Sequence, residues 1–291
     1  MPPSREQARV LFKTLQIRDT RQCGYNRLLI QALGEQLPGA KASAICKSTR
    51  ATNSLLGTKG WILGQFEALR KAEPAPTISI IILGLNDSKG GSGGVEPYAK
   101  NLREAVGLLR ERKQSVILTT PSTWGGLTQT KPYAEAARVL ATELKCPLVD
   151  LYAVQSELII AHTKDGKLDP VFNPTYDGVH LSAVGNTLWA GTILKAFGLK
   201  PEWKKFQLNT AVSEVEAFHK VASEMVVEPN QPSYEPGTKV TLTCRPKAGM
   251  VFVHWIHNSG EPIAEKSTTL TITMDRHQVI HAQVRPEGAK P

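Results

Sequence analysis

From residue 10 to about 198, short apolar runs alternate with stretches whose apolar positions recur every three to four residues. A parallel sheet covered by helices is written this way. Runs at 10–17, 42–46, 77–83, 115–119 and 147–151 read as strands, and the stretches 25–36, 61–71, 96–112, 132–145 and 182–197 read as helices. The run Ile78-Ser-Ile-Ile-Ile-Leu83 is almost continuous in branched residues, as a central strand buried on both faces requires. A five-stranded parallel sheet with helices on both faces, a three-layer α/β domain, is the expectation for this part.

After Gly198 the pattern changes. Residues 199–201 break the last helix, and 210–221 read as a connecting helix or an ordered linker. The period then becomes two: Val240, Leu242 and Cys244 alternate with Thr241 and Thr243, then Val251, Val253 and Trp255 alternate, then Leu270, Ile272 and Met274. Turn residues at Glu235-Pro-Gly237, Ala248-Gly249 and Asn258-Ser-Gly260 separate these strands. The predicted organisation is an α/β domain over 1–198, a connector over 199–223 and a small all-β domain over 224–291.

Composition narrows the class. With 291 residues, the chain exceeds a typical domain of roughly 150 and suits one large unit plus a smaller one. Hydrophobic residues at 41% and charged residues at 21% exclude collagen-like, coiled-coil and wholly disordered readings. The longest apolar stretch, residues 78–83, is far short of the roughly 20 that cross a bilayer as a helix, so no membrane insertion is expected. The opening Met-Pro-Pro-Ser-Arg-Glu-Gln carries no apolar signal core, so the chain as written is expected to be cytoplasmic or to have lost a leader. Four cysteines, Cys23, Cys46, Cys146 and Cys244, lie far apart with no Cys-x-x-Cys pair. Neither a zinc site nor a disulfide framework follows from that spacing, and they read as small buried hydrophobes.

The net charge of +9 is unevenly distributed: residues 224–291 carry 7 basic and 7 acidic residues, leaving 28 against 19 before them. Residues 1–70 alone hold 11 basic and 4 acidic residues. Without an aromatic-rich or glycine-rich nucleic-acid motif beside it, this bias reads as a solvated basic face, and nucleic acid is not the expected partner.

Two motifs fall where open parallel sheets place their sites, just beyond the carboxyl ends of strands. The first is Gly84-Leu85-Asn86-Asp87, directly after the central run. The second is Asp177-Gly178-Val179-His180-Leu181-Ser182, preceded by Phe172-Asn-Pro174 and followed by the last helix. An Asp three residues before a His at a helix entry can orient the imidazole and leave its other nitrogen free to act as a base. Taken singly, the first motif is also an ordinary Asn-Asp turn, and a lone His of the second kind also serves as a structural hydrogen-bonder.

Together and in this order, the residues resemble the SGNH or GDSL hydrolase superfamily, whose fold is a flavodoxin-like α/β/α sandwich. Gly84–Asp87 corresponds to its Gly-x-Asn-Asp block and Asp177–His180 to its Asp-x-x-His block; Leu56-Gly57-Thr58-Lys59-Gly60-Trp61 is similar to its second block, with Gly60 in the expected place. The first block departs from the pattern. Where Gly-Asp-Ser is expected after the strand ending in Ile17, the chain reads Arg18-Asp19-Thr20-Arg21. Without a gap, Thr20 takes the nucleophile position, a hydroxyl of the right chemistry with an extra methyl and a stiffer χ1. With a short deletion, Thr20 and Arg21 fall after that position and no nucleophile remains.

The resemblance implies acyl transfer, with Thr20 as nucleophile, His180 as base and Asp177 as its orienter. The N–H groups of residue 20 and Gly60 and the amide of Asn86 would hold the oxyanion, and Asp19, Gly84 and Asp87 complete the blocks as supporting positions. It implies no metal and no cofactor. The substrate class is an ester-bearing small molecule or an acylated polysaccharide, with a carbohydrate acetyl esterase as the specific expectation. A catalytically silent, polysaccharide-binding or adhesive form of the fold is the alternative, favoured by Arg18 and Thr20.

The C-terminal strands, from Val226-Val-Glu-Pro through Gly249-Met-Val-Phe-Val-His-Trp255 to Ile280-His-Ala-Gln-Val284, are similar to the internalin-type B-repeat. That resemblance implies a small β-grasp-like fold, glycan binding as a candidate role, and a bacterial envelope or extracellular setting. Phe252 and Trp255 read either as exposed glycan contacts or as core.

Overall fold

The structure, a computed structural model, describes residues 24–37, 78–123, 127–169, 172–175, 178, 181–214, 223–257 and 261–289. Two compact units are distinguished: one holds the described residues up to Ala161 together with Leu188–Glu202, the other His162–Thr187 and the described residues from Trp203 onward.

In the first unit, strands β1 (Ile78–Ile81), β2 (Ser115–Thr119) and β3 (Leu148–Val149) form a parallel sheet in the order β1-β2-β3. Ile80 lies opposite Ile117, and Leu118 opposite Leu148. Helices α1 (Gly24–Gln36), α2 (Val95–Glu111), α3 (Lys131–Glu143) and α4 (Leu151–Ala161) alternate with these strands along the chain, and α5 (Ala183–Ala196) passes from the second unit into the first. Helix α2 buries Tyr98, Leu102, Ala105, Val106 and Leu109, one face at helical spacing, in a core shared with Ile81, Val116 and Leu118 of the sheet and Tyr133 and Leu140 of α3. The observed α1, α2, α3 and α5 lie within one or two residues of their predicted bounds. The predicted strands at 10–17 and 42–46 and the helix at 61–71 lie outside the described residues.

Helix α4 is an element the periodicity did not signal. Its sequence, LYAVQSELIIA, is apolar on most sides, so no polar face marks a 3.6-residue period, and the run 147–151 predicts a strand that includes Leu151. In the structure the strand ends at Val149, and Asp150 caps the helix through its Oδ1, which accepts the Ala153 N–H at 3.0 Å.

In the second unit, β4 (Thr163–Lys164) and β5 (Lys167–Leu168) form a small antiparallel hairpin. The rest is all β. Strands β6 (Leu208–Glu214), β7 (Glu224–Glu228), β8 (Lys239–Arg245), β9 (Met250–His257), β10 (Glu261–Ile263), β11 (Thr269–Thr273) and β12 (Gln278–Pro286) build a four-stranded sheet, β10-β9-β12-β6, and a three-stranded one, β11-β8-β7. All neighbours are antiparallel except β12 and β6, which run parallel. Residues 208–214 are therefore a strand, which corrects the connecting helix or linker read over 210–221 for its first part, 210–214; residues 215–221 lie outside the described residues. The Asn, Thr, Ala and Ser composition of 208–214 hides a strand whose place depends on pairing with β12, 70 residues later in register.

The core of the β region holds Trp255, Tyr234, Val240, Leu242, Cys244, Met274, Ile280, Ala282 and Val284. Trp255 is fully buried, its indole N–H donating to the Ser267 carbonyl at 2.8 Å, so of the two readings of that ring the core one holds. The alternation expected for Val251, Val253 and Trp255 is broken by a bulge: His254 lies opposite Gln283 but Phe252 opposite Val284, leaving Val253 as the extra residue. The shift in phase brings Phe252 to the core beside Trp255, with ring centroids 5.4 Å apart. Cys146 and Cys244 are free and buried, as expected of small hydrophobes; burial pushes the Cys244 thiol up to about 11.

Candidate active site

Three of the predicted site residues, Gly84, Asn86 and Asp87, lie among the described residues. Thr20, Asp19, Gly60, Asp177 and His180 lie outside them.

The Gly84–Asp87 turn follows β1 at its carboxyl end. Gly84 has φ +114°, and a Cβ there would sit 3.1 Å from Pro121 Cβ and 3.1 Å from the Tyr98 ring, so both backbone and packing require glycine. The buried Ser88 then closes the turn: its N–H donates to the Gly84 carbonyl at 3.1 Å and its hydroxyl to the Leu85 carbonyl at 2.7 Å. Asn86 sits at φ −76°, ψ −24°, the residue from which a 3-10 segment, Asp87–Gly94, kinked at Gly91, departs. Its half-buried amide is thus carried on a tightly bonded turn.

Two buried tyrosines support this turn from helices α2 and α3. Tyr98 donates to the Leu83 carbonyl at 3.3 Å; Tyr133 donates to the Gly91 carbonyl at 2.6 Å and reaches the Asp87 carbonyl at 3.0 Å. The two rings meet edge to face at 5.3 Å. Burial, followed by the negative charge of Asp87, raises both phenols above the ordinary tyrosine value, which keeps them protonated and able to donate. Sequence reasoning passed over both residues. The signal available was the Gly-Gly-Ser-Gly-Gly run, since one of its glycines, Gly94, has no room for a Cβ against the Tyr133 hydroxyl.

A second polar cluster lies just past β2 and β3. The Thr120 hydroxyl accepts the Tyr152 N–H at 2.7 Å and donates to Asp150 Oδ1 at 3.0 Å. Arg138 of α3 grips the same carboxylate with both Nε, at 2.7 Å, and a terminal nitrogen, at 3.1 Å. Burial alone would raise the Asp150 value; the hydrogen bonds from Arg138, Ala153 and Thr120 and the Arg138 charge outweigh it and leave the carboxyl below the usual carboxylate range.

In the second unit the structure describes the frame of the Asp-x-x-His segment. Thr175 and Leu181 pair as an antiparallel bridge on either side of residues 176–180, and Gly178 has φ +81°. Asn173 Oδ1 accepts the Thr175 N–H at 3.1 Å, an Asx turn that opens the segment. Ser182 closes it: its hydroxyl donates to the Asn173 carbonyl at 2.6 Å and accepts the Gly185 N–H at 3.2 Å, capping α5, while its own N–H bonds the Pro174 carbonyl at 2.9 Å. A Cβ on Gly185 would collide with the Pro174 carbonyl and lie 2.9 Å from Leu181 Cδ2. The His162 ring stacks on Phe172 at 3.6 Å, tying the β4–β5 hairpin to the start of this segment.

Residues 16–188 match the model of the GDSL-like lipase/acylhydrolase family, and the chain belongs to that family. Residues 221–285 match the divergent InlB B-repeat domain. Among solved structures, the acetyl xylan esterase AlAXEase is similar with a TM-score of 0.52 and 19% identity over 61% of this chain and 92% of that one. The acetylxylan esterase Axe2 from Geobacillus stearothermophilus is matched at a TM-score of 0.47 and 19% identity, over 61% of this chain and 82% of that one. No curated protein matches the chain. The α/β part therefore has the flavodoxin-like three-layer fold of the SGNH hydrolases, followed by a small all-β region.

Proposed function

We propose that this chain is an ester hydrolase acting on acetylated carbohydrate, with Thr20 as a poorly placed nucleophile. The observation that carries the reading is the Gly84–Asp87 turn, which holds Asn86 at the carboxyl end of β1 in a chain belonging to the acylhydrolase family. The names of the solved structures with this fold, acetyl xylan esterases, supply the substrate class.

In the proposed reaction the Thr20 hydroxyl attacks the ester carbonyl while His180, oriented by Asp177, takes its proton. The N–H groups of residue 20 and Gly60 and the Asn86 amide stabilise the oxyanion of the tetrahedral intermediate. Collapse expels the sugar hydroxyl, which receives the proton from His180. Water, deprotonated by the same imidazole, then cleaves the acyl-enzyme to acetate and regenerates the threonine. The threonine methyl and the bulk of Arg18 restrict approach, so turnover is slow.

A role for the β region in holding a polymeric substrate, and a bacterial envelope or extracellular setting, belong to the same proposal and rest on the B-repeat match. Burial of Trp255 takes that ring out of any glycan contact. The departure of Arg18-Asp19-Thr20 from Gly-Asp-Ser favours a second reading, a silent member of the fold that binds polysaccharide without cleaving it.

The kinetic test is hydrolysis of p-nitrophenyl acetate by wild type, Thr20→Ser and His180→Ala. Weak turnover is expected in wild type, a rise of up to about 100-fold in Thr20→Ser as the hydroxyl gains the attack geometry, and loss in His180→Ala. Turnover that is equal in all three proteins, or absent in both wild type and Thr20→Ser, would favour the binding reading.

A further inference from the structure

We propose that Tyr133 is a positioning residue for Asn86, its hydroxyl serving as the buried post on which the Asn86–Gly94 segment is set; this rests on the oxyanion role given to Asn86 above. Tyr133 is fully buried on α3, and its single proton is shared between the carbonyls of Asp87, the residue next to Asn86, and Gly91. One hydroxyl thus ties both the start of the 3-10 segment, at Asp87, and its kink, at Gly91, to a rigid helix behind it.

The segment is shaped around this contact. Gly91 adopts φ +58° and ψ −150°, a conformation that side chains disfavour, and its carbonyl is the closer acceptor. Gly94 leaves no space for a Cβ because the phenol oxygen occupies it, and the nearest atom to a Cβ at Gly90 is the same oxygen, at 3.9 Å. Around Gly91 and Gly93 a Cβ would meet nothing within 4 Å. Residues 89–93 are exposed, so little side-chain packing holds them in place, and the buried phenol does so from inside. On the other side the turn is fixed at Gly84 by Tyr98 and Pro121, and Asn86 lies between the two anchors.

A group that stabilises an oxyanion must be placed to within a fraction of an ångström, since the charge it meets exists only in the transition state. Loosening the Tyr133 anchor should therefore lower kcat and leave KM nearly unchanged. The test is a cycle of Tyr133→Phe, Asn86→Ala and the double variant, measured on p-nitrophenyl acetate in the wild-type and Thr20→Ser backgrounds. The phenyl ring of Tyr133→Phe keeps the contact with Tyr98, and circular dichroism and melting temperature check that the fold is intact.

The expected result is a kcat lower by roughly 10-fold to 100-fold in Tyr133→Phe, with KM within about 2-fold, and little further loss when Tyr133→Phe is added to Asn86→Ala. Equal losses with and without Asn86, or no loss at all, would overturn the inference. If neither background turns over the ester, the hydrolase reading and the catalytic half of this inference fall together. Amide exchange then decides the structural half: faster exchange across 86–94 in Tyr133→Phe is expected, and unchanged exchange refutes it.

Discussion

His277 shows how much a single side chain can set. It is buried, its Nδ1 accepts the Gln207 N–H at 2.9 Å, and its Nε2 has no hydrogen-bond partner among the described residues. Trp203 and Phe206 present themselves at right angles to its ring, with centroids 5.0 and 5.6 Å away. Burial moves its pKa from 6.5 down to about 4, so the unfolded chain binds the proton more tightly than the folded one. Stability from the neutral ring is therefore complete above pH 6.5 and declines as pH falls toward about 4, by about 3 kcal/mol in all. Urea unfolding at pH 7 and pH 4.5 should show a smaller pH difference in His277→Phe than in wild type; equal differences would remove His277 as the cause. At Gly185 the usual sign of a helix substitution reverses. An alanine in a helix ordinarily gains up to about 1 kcal/mol over glycine. Here its Cβ would collide with the Pro174 carbonyl, so Gly185→Ala should lower the melting temperature, and a rise would show that the loop yields freely.

Elements were legible where a single face met the core. Helix α2 shows its buried stripe from Tyr98 to Leu109, and β8 alternates from Val240 to Cys244, so both were readable from apolar spacing. Where neighbours decided the outcome, spacing failed: α4 is apolar on most sides, β6 depends on β12, and the bulge in β9 exchanges Val253 for Phe252 on the inner face. The candidate site divides likewise. Its motif positions could be read as Gly84, Asn86 and Asp87, but the supports, Tyr98 and Tyr133, come from helices whose contact with the turn no local pattern encodes. Asp150 is a further hidden support, capping α4 and bracing it through Arg138. Asp150→Ala should destabilise the chain by about 1–2 kcal/mol, a modest figure because the ion pair is about one-third exposed. Because its carboxyl lies below the ordinary 3.8, that contribution is present at pH values above 3.8 and is lost as pH falls below it. Chemical denaturation at pH 7 and pH 3 should therefore separate the two proteins at neutral pH and narrow the gap in acid; a gap of the same size at both pH values would contradict the assignment.

At the scale of the molecule, the chain joins an acylhydrolase fold to a B-repeat, and β6 fixes where the second can be cut. Removing residues 224–291 takes away β12 and leaves β6 with an unpaired edge, so that truncation is expected to aggregate more than a chain ending at residue 202. Size-exclusion chromatography of the two truncated chains checks this, and equal behaviour would mean that β6 needs no partner. In the proposed reaction a threonine hydroxyl, activated by His180, forms an acyl-enzyme. The most direct measurement is peptide mass mapping after reaction with an alkyl fluorophosphonate, which traps an activated hydroxyl as a stable phosphonate ester with loss of fluoride. One adduct is expected, on the peptide containing Thr20, strengthened in Thr20→Ser and absent in His180→Ala. No adduct on that peptide in either wild type or Thr20→Ser, or one that forms equally well without His180, would contradict it.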